Sequence, residues 1–516
     1  MAKHFVGIDI GTTATKAVVL TDSGTPLRRV RAPHVVGLPL EAGRVDPVSW
    51  WGSVQEACRA LDAAHLELAG IGLSVHSPVG VPLDETGRHL SAGYRFEAPG
   101  LPEIIRSIQS QLSPAETASL GNRVTPATFM AGAYLLLQDQ EPGAAQDLHV
   151  LGSVGTYIGQ RLTGNFAMDP TQASYFGAFD VADAWTWQEG LAKRLGIPAD
   201  ILPPVQASLS TLGRLTAQAG EALRLQPGVP VVVGAGDTAC AAFAAGIDQG
   251  RTRLFTLGTT HVITDHDRAP ARDGLHLQRA YIRPHQWLRH GVCNGGLALS
   301  VAARMLGHGK GSDAVPKMVN QAMAASPETI AHAPFFVPHV RAERGPFWLD
   351  TPRAGFLGMT ADTDETAAAW AAVEGVLFTD RLILESFPRD TGKELLLAGD
   401  VSGGEAFTQL AADAFAAPMK VSKESHLPAV GAALLAAEGT GFPLHLKESL
   451  EDITPRPGLT RIIQARWEGF IQARTDYLGE TGDPEGQCPL GEPEATALKA
   501  RPRNRHGNCS GTVTCF

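Results

Sequence analysis

The stretch FVGIDIGTTATKAVVL, residues 5–20, sets a carboxylate, Asp9, inside an apolar run and two residues ahead of Gly11, Thr12 and Thr13. Asp is disfavoured in strands, and a buried carboxylate is costly unless something pairs with it. The run is therefore either a surface hairpin with an exposed Asp, or a buried strand whose acid meets a cation. Apolar residues on both sides of Asp9 favour the second reading. Glycine in the turn allows close backbone approach and positive φ. The N–H groups and hydroxyls that follow then form a concavity suited to phosphate. Asp9 itself repels phosphate but suits a hydrated Mg²⁺, which takes one or two carboxylates and keeps most of its waters. Lys16, on the outgoing strand, adds positive charge.

The pattern recurs. TRLFTLGTTHVIT, from Thr252, again reads as strand, Gly258-Thr259-Thr260, strand. Two hairpins with one turn, about half a chain apart, suggest two similar α/β lobes facing one cleft. Between them, DPVSWWGSVQEACRALDAAH reads as a helix starting after Asp46 and Pro47. It is followed by a short buried strand, LAGIGLSV. PATFMAGAYLLLQDQEPG reads as a further helix, and QPGVPVVVGAGDTACAAFAAGI as turn, strand, glycine corner and helix.

That last corner admits a rival. Gly234, Gly236 and Ala239 satisfy G-x-G-x-x-A, the dinucleotide arrangement. Against it, Asp237 would sit in the loop that receives the pyrophosphate, and no strand ends in an acid about 20 residues later. Asp237 reads better as a base projecting from a helix start into the cleft, or as a carboxylate satisfying the helix dipole. A P-loop is excluded, since LGHGKGS near Gly309 lacks the first glycine.

Composition narrows the class. The chain has 516 residues, 44% hydrophobic and 19% charged, with a net charge of −10, so it offers no basic footprint for nucleic acid. No apolar run approaches the roughly 20 residues that span a bilayer, and Lys3 and His4 lead straight into a strand without a signal sequence. The six cysteines include no C-x-x-C pair. Reduced thiols and a cytoplasmic location are expected. Cys488, Cys509 and Cys515 fall in a basic C-terminal stretch read as a tail.

Together these segments resemble the FGGY carbohydrate kinases, ATP-dependent kinases of sugars and polyols. GIDIGTTATKAVV and TLGTTHVIT look like the family's two phosphate motifs. YIGQRLTGNFAMDPTQASYFGAFDVADAWTW resembles its central stretch, with Asp169 in register, and VVVGAGDTACAAFAAG the segment carrying the catalytic aspartate. PFFVPHVRAERGPFWLDTPRAGFLGMT looks like the second-lobe signature. LLLAGDVSGGEAFTQLAADAF resembles the adenosine segment, with Gln409 and Asp413 in place, and LPAVGAALLAAEGTG the helix after it.

The resemblance implies an α/β fold of two actin-like (ribonuclease H-like) lobes around an active-site cleft. The N-terminal lobe would span residues 1–247, the C-terminal lobe 248–478, and the tail 479–516. It makes Asp237 the base, Asp9 the Mg²⁺ anchor, and Gly11–Thr13, Lys16 and Gly258–Thr260 the phosphate cradle. Gly399, Asp400, Gly403 and Gly404 would lie under the adenosine of ATP. Ser77 and Pro78 stand where the family's sugar-binding Met-His occurs, or, with a small slip, His76 matches its histidine; Phe96 and Glu97 stand in place of its usual Trp-Asn-Asp. The overall pattern is most like the xylulokinases, which makes D-xylulose the first acceptor to expect, with glycerol, gluconate and ribulose as others. The family includes dimers, so a homodimer is an expectation too. Outside the resemblance stand an actin- or chaperone-type nucleotide switch and the dehydrogenase suggested by the glycine corner. Trp50 and Trp51 read as helix-face packing, His261 as structural or phosphate-reaching, and Arg341 and Arg344 as members of ion pairs.

Overall fold

The computed structural model of the chain describes residues 2–35, 40–388, 392–399 and 404–479. The expectations for Asp400, Gly403 and the three C-terminal cysteines lie outside the described residues.

Two sheets share one plan. In the first, the strands run in the order Pro26–Pro33, Ala14–Thr21, Lys3–Ile10, Glu67–Val75, Pro230–Val232, Thr211–Arg214. The first three pair antiparallel, and Lys3–Ile10 pairs parallel with Glu67–Val75. In the second, the order is Leu277–Ala280, Trp287–Cys293, His261–Asp267, Thr252–Leu257, Glu394–Gly399, Met419–Val421, Glu451–Ile453. Its pairing likewise changes from antiparallel to parallel after Thr252–Leu257. Gly11–Thr13 and Gly258–Thr260 thus close equivalent hairpins, so the repeated turn reflects a repeated fold.

Period-2 alternation explains why an acid is tolerated in the first strand. Val6, Ile8 and Ile10 share an apolar cluster with Trp50, Val54 and Leu61 of the helix Pro47–Leu61. Phe5, Gly7 and Asp9 point to the opposite face, which the helix Leu427–Gly439 covers. There the helix lies almost on the sheet. A Cβ at Gly7 would come 1.9 Å from the carbonyl oxygen of Ala429, and one at Gly72 1.9 Å from that of Ala432. Asp9 ends this row just as the helix begins, where the covering layer gives way. Continuous burial of the strand and a buried acid at its end follow from one geometry.

Helix Pro47–Leu61 begins as expected, with Asp46 accepting from the Val48 N–H at 2.9 Å. The segment read as one helix from Pro126 is instead broken into a short 3₁₀ turn, Met130–Gly132, and two helices, Ala133–Gln140 and Pro142–Gln146. Phe129, Met130 and Ala131 are completely buried in a separate apolar cluster. Their tertiary packing outweighs the local helical pattern.

Candidate active site

The parallel strands of the first sheet end at one edge, where open α/β sheets bind ligands. Asp9 faces Lys16 across the antiparallel pair and Ser74 across the parallel one. Ala235 and Gly236 pair with Ser74 and Val75, and the helix Asp237–Ala244 starts at the next residue. Four chain segments thereby deliver Asp9, Lys16, Ser74 and Asp237 to one place.

Asp9 is 5% exposed, which rules out the surface hairpin. Ser74 Oγ donates to its Oδ1 at 2.7 Å. Burial, followed by the Asp237 charge, pushes the Asp9 carboxyl up to about 7, while Ser74 and Lys16 oppose the rise. Among the described residues no group hydrogen-bonds the second oxygen of Asp9. A carboxylate with one bonded oxygen, one open oxygen and a second acid nearby fits a hydrated divalent cation. Lys16 is less free than expected, because its ammonium donates to the Ser425 carbonyl at 3.0 Å.

Asp237 is half-buried at the first position of its helix. Its Oδ1 accepts the Thr238 N–H at 2.6 Å. The preceding backbone is fixed from another segment. The Gly236 N–H donates to Thr171 Oγ1 at 2.8 Å, and that hydroxyl donates to the fully buried Asp169. Gly234 has φ +84°, and a Cβ there would meet the Leu73 carbonyl oxygen at 2.1 Å. This glycine is required by strand packing, so the dinucleotide reading loses its main support.

The two Gly-Thr-Thr turns behave differently in detail. The Gly11 N–H is used within its own turn, donating to the Ala14 carbonyl at 3.0 Å, and Thr12 and Thr13 are exposed. In the second turn the Thr259 carbonyl accepts the Leu297 N–H at 2.9 Å, anchoring the helix Gly295–Met305. His261 is 1% exposed, bound through Nδ1 to Asp380 Oδ2 at 2.8 Å, so it is structural. Cys293 Sγ donates to the other oxygen of Asp380 at 3.2 Å. This trio, whose ligand atoms lie within 4.8 Å of one another, satisfies itself and braces the hairpin. Gly399 pairs with Leu257, next to the second turn, and Gly404 opens the helix Gly404–Phe415. Gln409 and Asp413 are engaged elsewhere, with the Thr454 carbonyl and with Arg456.

His76 is buried, and its Nδ1 lies 2.9 Å from the Ile10 carbonyl oxygen. Nδ1 therefore donates, and Nε2 is left as an acceptor. Burial holds its pKa below the ordinary histidine value, against the pull of Asp237. The hydroxyl of Ser77 is buried without a partner, at a cis Ser77–Pro78 bond. Trp50 packs edge-on against His76, as helix-face packing requires. Phe96 packs against an apolar cluster, and Glu97 is exposed and paired with Arg95 at 3.0 Å. Arg344 forms no ion pair among the described residues, contrary to expectation, and Arg341 is exposed. Ser74, Thr171 and Arg279 went unrecognised in the sequence. A polar residue at the end of an otherwise apolar strand was the one available signal, and it applied to Ser74.

Residues 4–244 match the N-terminal domain of the FGGY family of carbohydrate kinases, and residues 255–439 match its C-terminal domain. The chain belongs to this family. It is a carbohydrate kinase with the actin-like fold. It is 23% identical to the xylulose kinase of Staphylococcus xylosus over 444 residues, covering 84% of this chain and 91% of that protein. In fold it resembles the ligand-bound xylulose kinase of Lactobacillus acidophilus, with a TM-score of 0.82 and 20% identity over 93% of this chain and 99% of that one. The gluconate kinase of the same organism matches equally, with a TM-score of 0.82 and 19% identity over 93% of this chain and 99% of that one. No helix among the described residues is long and apolar enough to cross a membrane.

Proposed function

We propose that this FGGY kinase uses Mg-ATP to phosphorylate a primary hydroxyl of a ketopentose or a related sugar, with Asp237 as the base. D-Xylulose is the acceptor favoured by the names of its relatives. The observation that carries the mechanism is the meeting of Asp9 and Asp237 at one sheet edge, close enough for the charge of one to raise the pKa of the other.

Phosphoryl transfer needs positioning and charge neutralisation more than covalent chemistry. Asp237, held by the Thr171–Gly236 contact, takes the proton of the attacking hydroxyl. Asp9 would hold a hydrated metal ion, with Ser74 fixing one carboxylate oxygen and leaving the other open. When bound, Mg²⁺ neutralises charge on the phosphates and orients them. Gly11–Thr13 and Gly258–Thr260 cradle the phosphates, and Gly399 and Gly404 lie under the adenosine. His76 offers Nε2, and Ser77 its unpartnered hydroxyl, to acceptor hydroxyls. The three described cysteines, Cys58, Cys240 and Cys293, are free and buried, in keeping with a reducing cytoplasm. A homodimer accords with the family.

The test is ADP release from Mg-ATP against ketopentoses, ketohexoses, polyols and aldonic acids. Steep stimulation by one compound supports the kinase reading. Slow release indifferent to every compound would favour a nucleotide switch instead.

A further inference from the structure

Arg279 lies in the strand Leu277–Ala280 and is 4% exposed, yet Nε and Nη1 of its guanidinium are buried without a hydrogen-bond partner. No carboxylate among the described residues forms an ion pair with it. It stacks over the Tyr175 ring at 4.2 Å. Its Nη1 is 2.5 Å from the position a Cβ on Gly236 would occupy, so the guanidinium lies against the residue that precedes the base. A second guanidinium, Arg344, is in electrostatic range of Arg279, Tyr175, Glu343 and Glu97. His290, with Nε2 buried and unpartnered, feels both arginines, which together with burial keep it neutral.

The nearby carboxylates form no ion pair with this group, Asp237 included, although it directly follows Gly236. Asp169 is taken by Thr171 and Gln172, and Glu343 by Asn294 and His339. Glu97 is paired with Arg95. An uncompensated buried charge is strongly unfavourable, and a guanidinium fork matches a carboxylate with two parallel bonds. A neutral sugar supplies hydroxyls but no counter-charge.

We propose that the acceptor is a short-chain sugar acid whose carboxylate binds Arg279 while a primary hydroxyl meets Asp237. This rests on the kinase reading, and it replaces the neutral ketose that the relatives' names favour with an aldonate. Arg279 is then a specificity-determining residue.

The experiment compares kcat/KM of the full chain for D-xylonate and D-gluconate with that for D-xylulose and xylitol, in wild type, Arg279→Gln and Arg279→Lys. We expect the acids to be favoured at least tenfold. Arg279→Gln should reduce the acid-to-neutral ratio by a factor of ten or more, chiefly through KM, and Arg279→Lys should partly restore it. The free Arg279→Gln protein should melt no lower than wild type, since an unpaired buried charge has gone. A preference for D-xylulose, or an equal fall for acids and neutral sugars in Arg279→Gln, overturns the proposal. If no compound stimulates ADP release, the kinase reading fails by itself. Calorimetric titration with D-xylonate then decides the anion site: binding lost in Arg279→Gln supports it, and absent or unchanged binding overturns it.

Discussion

Ser74 Oγ donates to Asp9 Oδ1 at 2.7 Å across two parallel strands, and this bond is the strongest protein contact opposing protonation of the acid. Hydrogen bonds to charged groups contribute about 1.5–3 kcal/mol. Ser74→Ala should therefore weaken the apparent Mg²⁺ affinity, measured as half-saturation of ADP release, by about ten- to a hundredfold. An unchanged Mg²⁺ titration would remove Ser74 from the metal site.

The pH dependence follows from the same group. The folded carboxyl titrates at about 7, above its ordinary value of 3.8. Between these pH values the folded state binds more protons than the unfolded one, so stability from Asp9 is fullest below pH 4 and is lost as pH rises to 7. Mg²⁺ held at Asp9 would need the ionised form and would compete with the proton. The rise in Tm on adding Mg-ADP should therefore be larger at pH 8 than at pH 6, and Asp9→Asn should abolish the difference. Equal shifts in the wild-type protein would contradict the assignment.

Thr171 acts through Gly236. Thr171→Val leaves the Gly236 N–H without its acceptor, at a cost of about 1–3 kcal/mol. It also loosens the peptide ahead of Asp237. We expect kcat to fall about tenfold with KM for ATP unchanged, and Thr171→Ser to restore it. Steady-state kinetics of both variants check this, and a pure loss of Tm with normal kcat would make the contact merely structural.

Gly72→Ala tests the close contact of helix Leu427–Gly439 with the first sheet. The added methyl meets the Ala432 carbonyl oxygen at 1.9 Å, and neither backbone can yield easily. Overpacking of this kind costs about 1–3 kcal/mol or more. The urea midpoint should fall, and a midpoint equal to wild type would show that the helix can lift at little cost.

Those contacts also show what the sequence could disclose. Both Gly-Thr-Thr hairpins, the strand carrying Asp9 and the helix starting at Asp237 were legible, because each is a local pattern with a local cause. Gly7 and Gly72 look like ordinary strand glycines until a helix more than 350 residues away is laid over them. The neighbours of Gly236, which leads into Asp237, are remote in the same way: Thr171 comes from the short helix Pro170–Ala173 and Arg279 from the edge of the other sheet. His261 was ambiguous for that reason, since Asp380, which fixes its role, lies 119 residues further on.

The measurement that bears most directly on the account is phosphoryl transfer by Asp237→Asn, using wild type's best acceptor and saturating Mg-ATP. Removing a positioned base should lower kcat by about 10²–10⁴-fold, while Mg-ATP binding, followed by calorimetry, stays within a few-fold of wild type. Turnover close to wild type in a folded, nucleotide-binding Asp237→Asn protein would mean that the proton leaves by another route and that Asp237 is not the base.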